Sequence, residues 1–198
     1  MPNKPENAIT ELFRQVHTDP AKMVEGLATE FEKKIIRKGE SWIRPGQYCQ
    51  HIGFLKSGLL RAAVETDEGL HTRWAYLPGQ FFLSLQSFTR QIPSIEYIIA
   101  VEDCEIYLLG RQRWLALYEQ HQELRHFWTQ TLETLAGCFE DRVHALLYKD
   151  ATARYQHMLD HYPEFILYVP QRYVAEMLGI APRHLSRIRK EISSTPLL

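Results

Sequence analysis

One abrupt change of texture governs what this chain can build. From Lys33 to Leu109 short β-rich runs are broken by Gly and Pro, whereas from Arg111 to Asp160 Gly137 is the sole instance of either residue. Gly and Pro make turns and interrupt helices, so the first stretch reads as strands and turns and the second as helix. The β-rich runs are Lys34–Arg37, Ser41–Ile43, Ile52–Lys56, Leu59–Val64, His71–Leu77 and Tyr97 through Leu109. Between them, Arg44-Pro45-Gly46, Lys56-Ser57-Gly58, Asp67-Glu68-Gly69 and Leu77-Pro78-Gly79 carry turn chemistry. Short strands so spaced predict an antiparallel β-roll of the jelly-roll kind. Ahead of it, residues 6–31 read as helix, with Ile9, Leu12, Phe13 and Val16, then Met23, Leu27 and Phe31, at helical spacing.

Past Arg111 the apolar period becomes helical. A short helix over Gln112–Tyr118 leads to a long one from Gln122 to Tyr148, on which Trp128, Leu132, Leu135, Phe139, Val143 and Leu146 step by 4, 3, 4, 4 and 3. A seam this narrow serves either a parallel partner helix or the helix's own domain, and the repeat favours the partner, hence a homodimer. Leu124, Phe127, Thr131, Cys138 and Leu147 widen the stripe enough for another face to pack on the roll. A further helix follows Asp150 or Thr152 as N-cap and ends near Tyr162-Pro163.

The last unit carries the chemistry. Gln171–Ile192 reads QRYVAEMLGIAPRHLSRIRKEI: helices over Gln171–Leu178 and Pro182–Ile192 joined by Gly179-Ile180-Ala181. Gly179 provides the positive φ that a tight helix end needs, Ala175 is small where two helices cross, and Pro182 suits a first helical turn. Val174, Leu178, Ile180, Leu185 and Ile188 then face inward, which is helix-turn-helix spacing. The second helix is left presenting Arg183, His184, Ser186, Arg187, Arg189 and Lys190, a face that fits the DNA major groove.

The formal net charge of −1 hides how charge is distributed. Residues 1–110 sum to −2, residues 111–170 to −2 and residues 171–198 to +3, so the basic excess sits on the helix-turn-helix. No run approaches the ~20 apolar residues of a membrane helix, and the N-terminus lacks the pattern of a secretion signal. A cytoplasmic protein without membrane partners is expected. Cys49, Cys104 and Cys138 are too widely spaced for a CxxC pair and are read as reduced thiols.

Taken together, the chain resembles the Crp/Fnr family of bacterial transcription regulators over residues 25–193. The resemblance is carried by VPQRYVAEMLGIAPRHLSRIRKEI, the roll segment GFLKSGLLRAAVETDEG and YLPGQFF. It implies an α+β protein with a cyclic-nucleotide-binding-type β-roll over residues 1–118, a dimerisation helix over 119–148 and a DNA-binding unit over 149–198. It further implies a homodimer on an inverted repeat of double-stranded DNA, and RNA polymerase as a further partner. By position in the motif Arg183 and Arg187 are the base readers, with Ala181, Pro182 and Ser186 alongside; Arg172, Tyr173, Arg189 and Lys190 are phosphate contacts. Many members add a β-hairpin wing after the recognition helix, whereas only Ser193–Leu198 follow it here, so the wingless type is expected.

The sensor site departs from the cyclic-AMP pattern. Members that bind cyclic AMP use a Gly-Glu pair for the ribose and an Arg-Ser-Ala run for the phosphate; the corresponding positions here are Gly79-Gln80 and Ser94-Ile95-Glu96. Phosphate recognition needs a fixed cationic fork. None stands at that position, and Arg90 belongs to the loop before Pro93. Cyclic AMP is therefore not expected. The pocket is left for an uncharged or differently charged molecule among Phe81, Phe82, Phe88, Tyr97 and Phe139, or for those side chains themselves.

Other chemistries lack their residues. Fnr-type iron–sulfur sensing requires N-terminal cysteines, and none precedes Cys49. A cupin-like metal enzyme requires an HxH pair, but the roll holds only His51 and His71. His157 and His161 are spaced i, i+4 without an evident third ligand and read as two solvated histidines. No nucleophile elbow or phosphate loop occurs. No cofactor, metal site or catalytic residue is expected, and the reading left beside a DNA-binding regulator is a ligand- or protein-binding sensor of the same fold without DNA binding.

Overall fold

Side-chain alternation and turn chemistry set the first half of the molecule. The computed structural model describes residues 29–194; the helix expected over residues 6–31 lies outside them except for Thr29–Phe31, of which Thr29 and Glu30 form a turn. Eight strands follow: β1 (Glu32–Ile36), β2 (Ser41–Ile43), β3 (His51–Ser57), β4 (Leu60–Thr66), β5 (Gly69–Tyr76), β6 (Phe81–Phe82), β7 (Tyr97–Ala100) and β8 (Cys104–Gly110). They form two antiparallel four-stranded sheets, ordered β1-β8-β3-β6 and β2-β7-β4-β5. The expected roll is therefore present. The run read from Tyr97 to Leu109 divides into β7 and β8. Ile52, Phe54, Leu55, Ile98, Ile106 and Leu109 are buried in the roll core. Phe82 enters this core by lying across Gly53 of β3, where any Cβ would collide with its ring.

The structure adds a helix that the sequence reading left as loop, α1 (Leu85–Arg90) between β6 and β7. Ser84 accepts Phe88 N–H at 2.8 Å to start it, and Gln91 ends it in the left-handed region at φ 50°. Six residues are too few for an apolar period to declare itself.

Five of the six remaining helices match the reading in position. They are α2 (Arg111–Gln120), α3 (Gln122–Tyr148), α4 (Ala151–His161), α5 (Pro163–Tyr168), α6 (Gln171–Leu178) and α7 (Pro182–Ser194). The unexpected member is α5, because Pro163 both terminates one helix and opens the next at its first turn. Of the two N-cap candidates for α4, Asp150 is used: its carboxylate accepts Ala153 N–H at 2.8 Å. Among the described residues no helix is long and apolar enough to cross a membrane.

Two hydrophobic cores result. One fills the roll and takes in Trp114, Leu117, Leu124, Phe127 and Trp128 from α2 and α3. The other joins α4 through α7 and also includes Leu59, Ala75 and Leu77 of the roll. Trp74 of β5 stands where they meet, edge-on to Phe139 of α3 at 5.9 Å and to Phe165 of α5 at 5.1 Å.

Candidate nucleic-acid interface and effector cavity

The basic face rests on an apolar hairpin. Gly179 sits at φ 64°, the left-handed end that lets α7 leave α6 after a three-residue turn, and its N–H returns to Glu176 O at 3.1 Å. Val174, Ala175, Leu178, Leu185 and Ile188 are buried, and Ile180 packs against the same core. With these positions inward, Ala181, Pro182, Arg183, Ser186, Arg187 and Lys190 are exposed, while His184 and Arg189 are half-buried. Arg187 reaches Glu191 one turn on at 3.7 Å. One face of α7 thus gathers guanidinium, ammonium and hydroxyl donors on a rigid element.

Tyr173 lies elsewhere than the motif position suggested. It is buried, not on the outer surface, and the guanidinium groups of Arg61 and Arg172 each lie 4.4 Å from its ring centroid. Arg172 is exposed and donates to the Tyr173 hydroxyl at 2.6 Å. This corner docks α6 on the roll. Glu176 accepts Thr72 N–H at 2.7 Å and pairs with Arg61 at 3.7 Å, and its backbone carbonyl accepts from His71 Nε2 at 2.9 Å. The orientation of the basic helix is therefore set by β4 and β5, through α6.

A cavity of about 950 Å³ opens between the roll and α3. Of the expected pocket residues, Gln80, Phe81, Ser94, Ile95, Glu96 and Phe139 line it. Phe82 is instead fully buried in the roll core, Arg90 is exposed in the last turn of α1, and Tyr97 does not reach the cavity. Phe88 is likewise a core residue.

A cationic fork does enter the pocket, from a strand and not from the Ser94-Ile95-Glu96 position. Arg73 of β5 enters it and donates Nε and Nη2 to the same oxygen of Glu96, at 2.9 and 2.7 Å. Glu96 is only 6% exposed, so its charge is held by this pair. Beside it, the Ser84 and Ser94 hydroxyls lie 3.1 Å apart, and Ser94 donates to the Glu96 carbonyl at 2.9 Å. Tyr76 is buried below, which drives its phenol well above the ordinary range. Arg73 went unnoticed because it lies 23 positions before Glu96, on another strand, where only the pairing of β5 and β7 with β4 brings them together.

The seam on α3 meets several surroundings. Trp128 is buried edge-on to Trp114 at 5.1 Å, Leu132 packs on the roll core, and Leu135 and Phe139 line the cavity. Leu146 faces the turn at Gly179. Val143 is 51% exposed, as are Leu147 and Tyr148 to 68% and 81%. The apolar period is real: Trp128 is buried, Leu132, Leu135 and Phe139 are half-buried, and the C-terminal end of the seam is exposed. Among the described residues no group of three metal-ligating side chains occurs.

Comparison with known proteins agrees with this architecture. Residues 33–121 match the cyclic nucleotide-binding domain family. The fold is similar to that of FixK2 from Bradyrhizobium japonicum, with a TM-score of 0.69 at 19% identity over 83% of this chain and 85% of that one. It is similar as well to a double mutant of CooA from Carboxydothermus hydrogenoformans (TM-score 0.72, 17% identity, 85% and 78% covered). The Catabolite Activator Protein of Thermus thermophilus aligns over 92% of this chain and 86% of its own at 19% identity, with a TM-score of 0.58. No curated protein matches the chain by sequence.

Proposed function

We propose that the protein, whose residues 33–121 match the cyclic nucleotide-binding domain family and whose fold is similar to that of a protein of the Crp/Fnr family, is a dimeric, sequence-specific DNA-binding transcription regulator. The observation that carries this reading is the outer face of α7, where Arg183, Ser186, Arg187 and Lys190 are exposed together above buried Leu185 and Ile188. Arginine on such a face can take guanine O6 and N7 together, and the neighbouring cations hold phosphates. Val143, Leu147 and Tyr148, exposed at the C-terminal end of α3, support a partner helix there. Two copies so joined present two α7 helices to successive major grooves.

The cavity is the effector site of this regulator, and its effector is not cyclic AMP. A cyclic phosphate needs an uncommitted cation, whereas Arg73 is already neutralised by the buried Glu96 carboxylate. The apolar lining from Phe81, Phe127, Leu132, Leu135 and Phe139 suits an uncharged or zwitterionic molecule with a substantial apolar body. Its binding changes how the roll holds α3 and α6, and so where α7 points.

Two experiments test the reading. Mobility shift with an operator recovered by selection should show weaker and less selective binding for Arg187→Ala, by about 1–3 kcal/mol; unchanged affinity and selectivity contradict the assignment. Calorimetry with cyclic AMP should give no saturable heat, and micromolar binding contradicts the account of the cavity.

A further inference from the structure

Behind Cys138 and Trp74, away from the effector cavity, lies a second and smaller hollow of about 40 Å³, bounded by α3, α4, α5 and α6. Its wall includes Arg142, Arg154 and His157, with Tyr162, Cys138 and Trp74, and no carboxylate takes part. Among the described residues, two buried side-chain polar atoms have no hydrogen-bond partner in the protein: Arg154 Nε and His157 Nε2. Both belong to residues of this one wall.

Arg154 itself donates Nη1 to the Lys149 carbonyl at 3.2 Å, and the second guanidinium of the wall, Arg142, likewise lacks a carboxylate there. Arg142 donates Nη1 to the backbone carbonyl of Arg73 and makes no ion pair among the described residues. Burial, reinforced by the charge of Arg73, pulls its guanidinium down to about 10. Burial also lowers His157, followed by the charges of Lys149 and His161. Three acids lie near without entering the wall, and Asp141 and Asp160 offset part of the lowering of His157. Asp150 caps α4, Asp160 accepts from Gln156 at 2.7 Å, and Asp141 lies 3.5 Å from the Tyr162 hydroxyl. The three residues are half-buried, and a guanidinium with a buried, unpartnered N–H is costly until an acceptor reaches it.

We propose that this hollow binds a small monovalent oxyanion, of carboxylate or nitrate type, through Arg154 Nε, His157 and Arg142. An anion there turns idle donors into charge-assisted hydrogen bonds. The size agrees: one water needs about 10–15 Å³, so the space takes roughly three such atoms, near the heavy-atom count of formate or nitrate and far below a nucleotide. The site joins Trp74 of the roll, Arg142 of α3, Arg154 and His157 of α4, and Met177 and Leu178 of α6. Its occupant ties together the elements that position the basic helix. The binding claim stands independently of the DNA-binding reading.

The test is a titration of the full-length protein with sodium formate, sodium nitrate and sodium chloride at matched ionic strength, followed by the side-chain Nε–Hε resonances of 15N-labelled arginines. Formate and nitrate should move the Arg154 resonance saturably, with affinity above that of chloride, and raise Tm in the same order. In Arg154→Met the affinity should fall at least tenfold, while Arg187→Ala should leave it unchanged. Responses that are equal for the three salts, or that rise with concentration without saturating, overturn the proposal and leave the hollow to water. The wild-type titration decides the matter even if Arg154→Met does not fold.

Discussion

Charge is handled in opposite ways at the two ends of this molecule. In the roll, the cation that reaches the cavity is matched to a buried acid: Arg73 holds Glu96 through two short hydrogen bonds. On α7, Arg183, Arg187 and Lys190 project into solvent, and Arg187 has only a 3.7 Å contact with exposed Glu191. An ion pair already closed inside a cavity leaves little for an anionic ligand, whereas an exposed basic face with a rigid apolar base remains available to phosphate and base edges. The protein thus has a neutralised cavity and an open basic face, and the near-zero net charge is the sum of two different arrangements.

The strongest challenge to this contrast is mechanical. If sensor and reader share a core, Phe165→Ala should cost about 3–5 kcal/mol in urea unfolding, because Phe165 is buried where Trp74 of the roll meets α5. A loss below about 1 kcal/mol, the scale of an exposed site, shows the two ends to be independent. Glu96→Gln sharpens the sensor side. It leaves Arg73 without its carboxylate and should cost about 1–3 kcal/mol of stability while opening the cavity to anionic ligands. Calorimetry with cyclic AMP on this variant should then show weak binding that the parent lacks. On the reader side, Arg183→Ala should weaken specific DNA binding by about 1–3 kcal/mol with folding stability unchanged within about 0.5 kcal/mol. The smallest expected effect is at the start of α4. Asp150→Ala removes the N-cap of α4 and should lower unfolding stability by about 1 kcal/mol.

What could be read from the sequence was whatever is encoded locally. α3 could be read from Gln122 to Tyr148 because the helical apolar period runs through that stretch, where Gly137 is the sole Gly or Pro, and α6 ends at Leu178 because Gly179 adopts φ 64° freely. Asp150 was recognisable as a cap from its type and position. The rest depended on contacts distant in sequence. No local signal tells that Arg73 meets Glu96, that Trp128 turns to Trp114, or that Tyr173 is covered by Arg61. An apolar seam states that a face will be covered and not by what, so the period on α3 was compatible with a partner and with the roll alike. Likewise His157 looked like one of two solvated histidines, and only the packing of α4 against α3 and α6 buries its Nε2.

The central claim is that α7 reads DNA as one of a symmetric pair, and selection of bound sequences from random duplex DNA tests it most directly. The account predicts enrichment of an inverted repeat whose half-sites lie about one helical turn apart, with affinity falling steeply as salt rises. Recovery of no enriched sequence, or of a single unrepeated site, contradicts it.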